Sequence, residues 1–124
     1  MSTQSVAQAL VDLCRQGKNF EAIDRYYADD IVSTEPVGNA QMPAVIRGKP
    51  AVRGKSEWWI ANHEIHSASA SAPMVGEGQF AVHFQYDVTN KPSGRRMQMS
   101  EVAVYTVRGD KINAEQFFYH MPGT

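Results

Sequence analysis

The spacing of apolar positions changes once along this chain, from helical in the first half to alternating in the second. From Thr3 to Gln16, the residues Val6, Leu10, Leu13 and Cys14 recur at three- and four-residue steps, which puts them on one face of a helix. Ser2 or Thr3 can cap the first turn, and Gly17 supplies the stop. Phe20, Ile23 and Tyr27 predict a second, shorter helix over 20–27, with Asn19 as its N-cap and Asp29-Asp30 closing it. Ile31 to Glu35 reads as a short strand, and Pro36 to Gly48 as a loop broken by Pro36, Gly38, Pro43 and Gly48. Pro50 suits the first residue of a third helix that runs to Asn62.

Beyond His63 the period becomes two. In Glu64–Val75, Ser67, Ser69 and Ser71 alternate with Ala68, Ala70 and Ala72, and in Gln79–Asn90 the residues Phe80, Val82, Phe84, Tyr86 and Val88 alternate with polar neighbours. "NKPSG" is a turn, and Arg95–Val107 and Lys111–Met121, joined by "RGD", complete an antiparallel meander. The plan is α+β: three N-terminal helices covering one side of a cone-shaped, curved antiparallel sheet, in one domain over 1–124. Alternation then predicts a pocket lined by Val82, Phe84 and Tyr86, by Ser100 and Val102, and by Phe117 and Tyr119. It sends His83, Gln85, Met99 and Glu101 to the convex face, whose mixed polarity suits a homodimer interface.

Charge narrows the function classes. Twelve basic residues against thirteen acidic ones leave no basic stripe for nucleic acid. With no apolar run of membrane-spanning length and no leader pattern, the expected location is the cytoplasm, away from any membrane. The single cysteine, Cys14, has no partner for an internal disulfide. His63 and His66 lie three apart without an HExxH, a CxxC or a carboxylate cluster at ligand spacing, so neither a metal nor a cofactor is expected. Trp58 and Trp59 diverge by about 100° on a helix, so one is expected in the core and the other at the cavity or beneath the long loop; which is which stays open, with Trp59 carried as the ligand-binding candidate.

One acid stands apart. Glu35 directly precedes Pro36, which restricts it to extended backbone and holds its carboxylate in place. Three segments in order, "NFEAIDRYYADDIVSTEPVG", "RGKPAVRG" and "VAVYTVRGDKI", resemble the nuclear transport factor 2-like superfamily, in its SnoaL-like polyketide cyclase and ketosteroid isomerase-like branch. The resemblance covers nearly the whole chain and implies a cone with its mouth between helices and sheet, often assembled as a dimer. In the steroid isomerases the acid before the proline is the general base, and here that position is Glu35. Such a carboxylate facing an apolar cavity loses hydration of its charged form and becomes a better proton acceptor, and no lysine is obviously placed to replace that hydration.

Those enzymes also hold their enolate with a tyrosine on the first helix and a protonated aspartate on a later strand, and these positions fall here at Val11 and Ser100. Ser100 can donate and Val11 cannot; Tyr26, Tyr27, His66 and Tyr119 are the other candidate donors. The resemblance thus implies Glu35, Ser100, Tyr119 and His66 as catalytic candidates, with Tyr27, Trp59, His63, Val82, Phe84, Tyr86, Val102 and Phe117 around a small apolar or carbonyl-containing molecule. The expected activity is that of a cofactor-independent isomerase, cyclase or dehydratase. A non-catalytic binding or assembly module of the same fold stays open beside it.

Overall fold

The computed structural model describes residues 2–40 and 42–120. Helix α1 (Thr3–Arg15) is capped by the Ser2 hydroxyl, which accepts from the Ser5 amide at 3.1 Å. It ends where Gly17 turns to a φ of 74°; the Lys18 amide reaches back to the Leu13 carbonyl and the Gly17 amide to that of Cys14. Glycine tolerates this left-handed turn, which satisfies two otherwise orphaned carbonyls. The turn leads straight into α2 (Asn19–Tyr26), so Asn19 is the first helical residue and not the cap expected of it.

Strand β1 (Tyr27–Thr34) starts immediately, four residues before the expected strand, with Asp29 and Asp30 exposed within it. The expected loop contains β2 (Val45–Arg47), antiparallel to β1. Helix α3 (Lys49–Asn62) follows Gly48, with Pro50 in its first turn. The remaining strands are β3 (His63–Ala70), β4 (Met74–Val75), β5 (Gln79–Asn90), β6 (Arg95–Arg108) and β7 (Lys111–Phe118). Met121, expected at the end of the last strand, lies outside the described residues.

The sheet runs β2-β1-β7-β6-β5-β3, with β4 also on β5, and every pairing is antiparallel except that of β1 with β7. Helices α1 and α2 bury Val6, Leu10, Val11 and Ile23 against Phe80, Val82, Ala103, Tyr105 and Ile112 of the sheet. Helix α3 buries only Val52 completely. It is tied to α2 by Arg53, which pairs with Asp24 at 2.8 Å and lies over the Phe20 ring. This looser seat leaves a gap between α3 and the sheet. No helix among the described residues is long and apolar enough to cross a membrane.

Register decides which side chains reach that gap, and β6 differs from expectation. The turn between β5 and β6 pairs Asn90 with Arg95, and hence Phe84 with Glu101, Tyr86 with Met99 and Val82 with Ala103. Cross-strand partners share a face, so the odd-numbered residues of β6 point inward. Ser100 and Val102 therefore lie on the outer face, where Ser100 bonds His83 at 2.6 Å and Val102 is 38 % exposed. Met99 and Glu101, expected on the convex face, lie inside.

Two bulges adjust the neighbouring strands. Between β3 and β5 the register shifts after Ile65, which faces Val88, so that Ala68 faces Tyr86. His66 is the extra residue; it is turned away from the alanine face and bonds Thr89 at 2.7 Å. Between β6 and β7, Asn113 is the extra residue, since Val107 pairs with Ile112 but Thr106 with Ala114. That bulge turns Glu115 and Phe117 inward. Without it, Gln116 and Phe118 would face the cavity.

Candidate active site

The gap beneath α3 is a cavity of about 560 Å³. The cavity receives Glu35 from just beyond β1, Glu115 and Phe117 from β7 with Tyr119 just beyond, and Glu101 from β6, while Ser33 of β1 is fully buried against Glu115. Lysine 55 enters from α3. The Glu35 amide bonds the Ala44 carbonyl at 2.8 Å, which extends the β1–β2 ladder one residue past Thr34 and, with Pro36, fixes the carboxylate over the cavity. Gly38 lies so close to the returning chain that a Cβ there would sit 2.3 Å from the Ala44 amide nitrogen. Only glycine lets the loop close this tightly, and the closure brings Met42 and Pro43 to the cavity rim.

The polar end is a connected network. Glu115 is 3 % exposed; one carboxylate oxygen accepts from the Tyr27 hydroxyl and the other from Ser33 at 2.7 Å. Lys55 Nζ donates to Ser33 Oγ at 2.5 Å, reaches Glu35 at 3.4 Å and stands 3.9 Å from Glu115. Its ammonium also lies 5.0 Å from the centre of the Phe117 ring. Glu35 accepts from the Tyr119 hydroxyl on its other oxygen at 3.0 Å. A lysine therefore does stand beside Glu35, contrary to the expectation that none was placed there.

Glu101 is different. It makes no hydrogen bond or ion pair among the described residues; burial raises its carboxyl from 4.5 to about 7, and the charges of Glu35 and Glu115 push the same way against Lys55. Burial likewise raises Glu115, opposed by Lys55 and by its two hydroxyl donors. Burial holds Tyr27 and Tyr119 well above the usual phenol range, with a neighbouring carboxylate as the second cause, so both are donors at any physiological pH.

The shift at Glu101 has a measurable sign. Its folded pKa lies above the unfolded one, so the folded state binds more protons between about pH 4.5 and 7, and stability falls as pH rises through that window. Glu101→Gln is expected to be more stable than the parent at about pH 8, by on the order of 2 kcal/mol, and to lose that advantage near pH 4.5. Urea unfolding at the two pH values checks this; a parent stability that climbs from the lower to the higher pH would refute it.

The apolar end is aromatic. Trp59 stacks on His63 with centroids 4.3 Å apart and meets Tyr86 at 5.5 Å, while Phe84 stacks on Tyr86 at 6.2 Å. Both tryptophans line the cavity, since Trp58 is not in the core but 49 % exposed at the mouth, edge-on to His63. α3 is seated loosely enough for two adjacent side chains to flank one opening. His63 Nδ1 engages the Trp59 carbonyl at 2.8 Å.

Of the residues singled out from sequence, Glu35, Tyr119, Tyr27, Trp59, His63, Phe84, Tyr86 and Phe117 line one cavity. Val82 has the inward orientation but is packed into the core below it. Ser100, Val102 and His66 lie outside, for the register reasons given, and Tyr26 and Val11 are core residues. Tyr27 cannot readily serve a ligand because its hydroxyl is committed to Glu115. Sequence reasoning missed Lys55 and Glu115 and misplaced Glu101. The turn length between β5 and β6 carried the signal for Glu101, since four residues between Asn90 and Arg95 pair even positions of one strand with odd positions of the other.

The family model for the SnoaL-like domain matches residues 1–119. Among solved structures, the chain is similar to a Mesorhizobium loti protein described as a SnoaL-like polyketide cyclase and, in brackets, a carbohydrate phosphatase. The two are 44 % identical over 96 % of this chain and 100 % of that one, with a TM-score of 0.91. It shares the fold of a Catenulispora acidiphila protein with a ketosteroid isomerase-like fold, solved with trimethylamine, at 16 % identity over 97 % and 88 % of the two chains and a TM-score of 0.74. It also shares the fold of a Bacillus subtilis protein described as an isomerase, at 16 % identity over 95 % and 86 % and a TM-score of 0.72. No curated protein matches the chain.

Proposed function

The chain belongs to the SnoaL-like domain family, and from that premise we propose that it is a cofactor-independent enzyme of the isomerase or cyclase kind, moving a proton at a carbon next to a carbonyl. The observation that carries this reading is the pair Glu35 and Glu101, two carboxyl groups on one cavity, the first held by a lysine and a tyrosine and the second without such a partner. Lys55 and Tyr119 fix the Glu35 carboxyl in place over the cavity, and Glu101, without a hydrogen bond or ion pair among the described residues and pushed up to about 7, is available as an acid. Two carboxyl groups so differently placed on one cavity are suited to base and acid roles.

In the proposed step, the Glu35 carboxylate takes the proton from the substrate carbon. The C–H electron pair moves into a carbon–carbon double bond, and the carbonyl pair moves to oxygen. Glu101 donates to that oxygen as its charge develops, in the role the resemblance had given to Ser100. Return of the proton from Glu35 to a different carbon, while the enol oxygen gives its proton back to Glu101 and the C=O bond re-forms, completes an isomerisation; attack of the enol carbon on a second carbonyl within the molecule, with the Glu35 proton passing to the new alkoxide and the enol proton returning to Glu101, completes a cyclisation. Trp59, Tyr86 and Phe84 supply the apolar wall for the rest of the substrate.

The test is exchange. Ligands found by thermal shift among uncharged ketones, steroids and aromatic polyketides are incubated in heavy water with the protein, and loss of the α-proton signal is followed by NMR. Exchange above the buffer rate is expected; none across the ligands that bind would leave only the binding-module reading, which the Lys55–Glu35 ion pair favours because it occupies the carboxylate with a partner inside the protein. We also propose a homodimer through the outer sheet face, where Val102 and Phe118 are paired across strands and 38 % and 51 % exposed beside His83 and Ser100. Light scattering should give twice the chain mass, and a monomer mass at all concentrations would remove the proposal.

A further inference from the structure

We propose that this cavity selects uncharged ligands and rejects carboxylates, phosphates and sulfonates, because its lysine is already engaged by two glutamates while a third glutamate stands unpaired beside them. The inference rests on the cavity being the ligand site but not on catalysis. Lys55 is the lysine of the cavity lining, and its side chain is 13 % exposed. Its ammonium donates to Ser33 and Glu35, stands 3.9 Å from Glu115 and lies against the Phe117 ring, so its charge is already neutralised by two carboxylates before an anion arrives. Glu115 cannot move aside to release it, since both its oxygens are held, by Tyr27 and Ser33.

Arg15 also touches the cavity, but its guanidinium donates to the Ala70 carbonyl at 3.0 and 3.1 Å and sits at the exposed rim, where solvent screens it. Within the cavity, three carboxyl groups face one ammonium. An anion entering here meets a net negative floor in a poorly hydrated space, where charges act at greater strength than in water. A neutral carbonyl compound meets no such cost.

Protonation of Glu101 should weaken this discrimination. The titratable groups that face it are Glu35 from β1, Lys55 from α3, Glu115 and Tyr119 from the β7 segment, Tyr86 from β5 and Tyr105 of its own strand. The tyrosines remain neutral and burial raises both Glu115 and Glu101; Glu101, which lacks the two hydroxyl donors that oppose the rise at Glu115, is pushed up to about 7 and changes charge near neutrality.

The experiment compares two fluorescent probes of nearly the same shape, the neutral N-phenylnaphthylamine and its sulfonated counterpart, anilinonaphthalene sulfonate. At about pH 8 the neutral probe is expected to bind at least about tenfold more tightly than the anion. At about pH 5, and in Glu101→Gln at about pH 8, that ratio should shrink severalfold through a gain in affinity for the anion. Equal or tighter binding of the sulfonate by the parent protein at about pH 8, or a ratio unchanged in Glu101→Gln, overturns the proposal. Failure of both probes to bind overturns it as well, by showing that the cavity does not admit apolar molecules of this size. The enzymatic reading fails separately, on absence of exchange with ligands that do bind.

Discussion

Glu115→Ala is expected to lower the free energy of unfolding by about 3–5 kcal/mol, the largest loss for any single polar side chain here. The reason is what the truncation leaves behind. The Tyr27 and Ser33 hydroxyls both donate to Glu115 from buried positions, and Lys55 stands 3.9 Å away with its side chain 13 % exposed. Removing the carboxylate strands two buried donors and half of the counter-charge of a buried ammonium, in a place where water cannot readily take over. A cavity the size of the missing side chain adds to the cost. Against a typical total of about 5–15 kcal/mol, that loss is a large fraction of the stability. Tyr27→Phe should cost far less, since it removes one donor and leaves Glu115 with Ser33 and Lys55. Denaturant titration of the two variants checks the order; a loss below about 1 kcal/mol for Glu115→Ala would show that the network contributes nothing net.

The second large effect is on rate. Glu35→Gln should reduce turnover by roughly 10²–10⁴-fold, the usual worth of a positioned general base, while ligand affinity changes little. The amide keeps the size of the side chain and can still accept from Tyr119, so the cavity retains its shape. Basicity is lost entirely. A fall in kcat at nearly constant KM, measured on a substrate for which exchange has been seen, is the expected signature. Undiminished turnover would move the proton-accepting role away from Glu35 and leave that residue as a partner that orients Lys55.

The same residues show why the site was legible only in part. Glu35 could be found because its signal is local: an acid against a proline at the end of a strand, within one recognisable segment. Lys55 could not, because nothing in the neighbourhood of an exposed-looking helix residue says that its ammonium will meet Ser33 and Glu115, which lie on other elements 22 and 60 positions away. Glu101 lay between the two cases. Both faces of β6 mix polar and apolar residues, Met97, Met99 and Glu101 on one and Gln98, Ser100 and Val102 on the other, so alternation alone does not choose between them. The outward placement of Glu101 followed from alternation once the resemblance had set its neighbour Ser100 inward, and the observed pairing reverses both.

By itself the sequence determined the class of fold, because periods of 3.6 and two are properties of neighbouring residues and survive without tertiary contacts. It determined the three helices, the long strands and the two turns of the meander, each marked by glycine, proline or asparagine at the required positions. It did not determine the parallel pairing of β1 with β7, or the bulges at His66 and Asn113. Those depend on how the strands must shift so that Ile65 and Ala68 both face inward and Glu115 meets Ser33 and Tyr27. A one-residue shift exchanges the two faces of a strand, so packing at two bulges and one turn decided that Glu101, Glu115 and Lys55 converge while Ser100 and His66 do not.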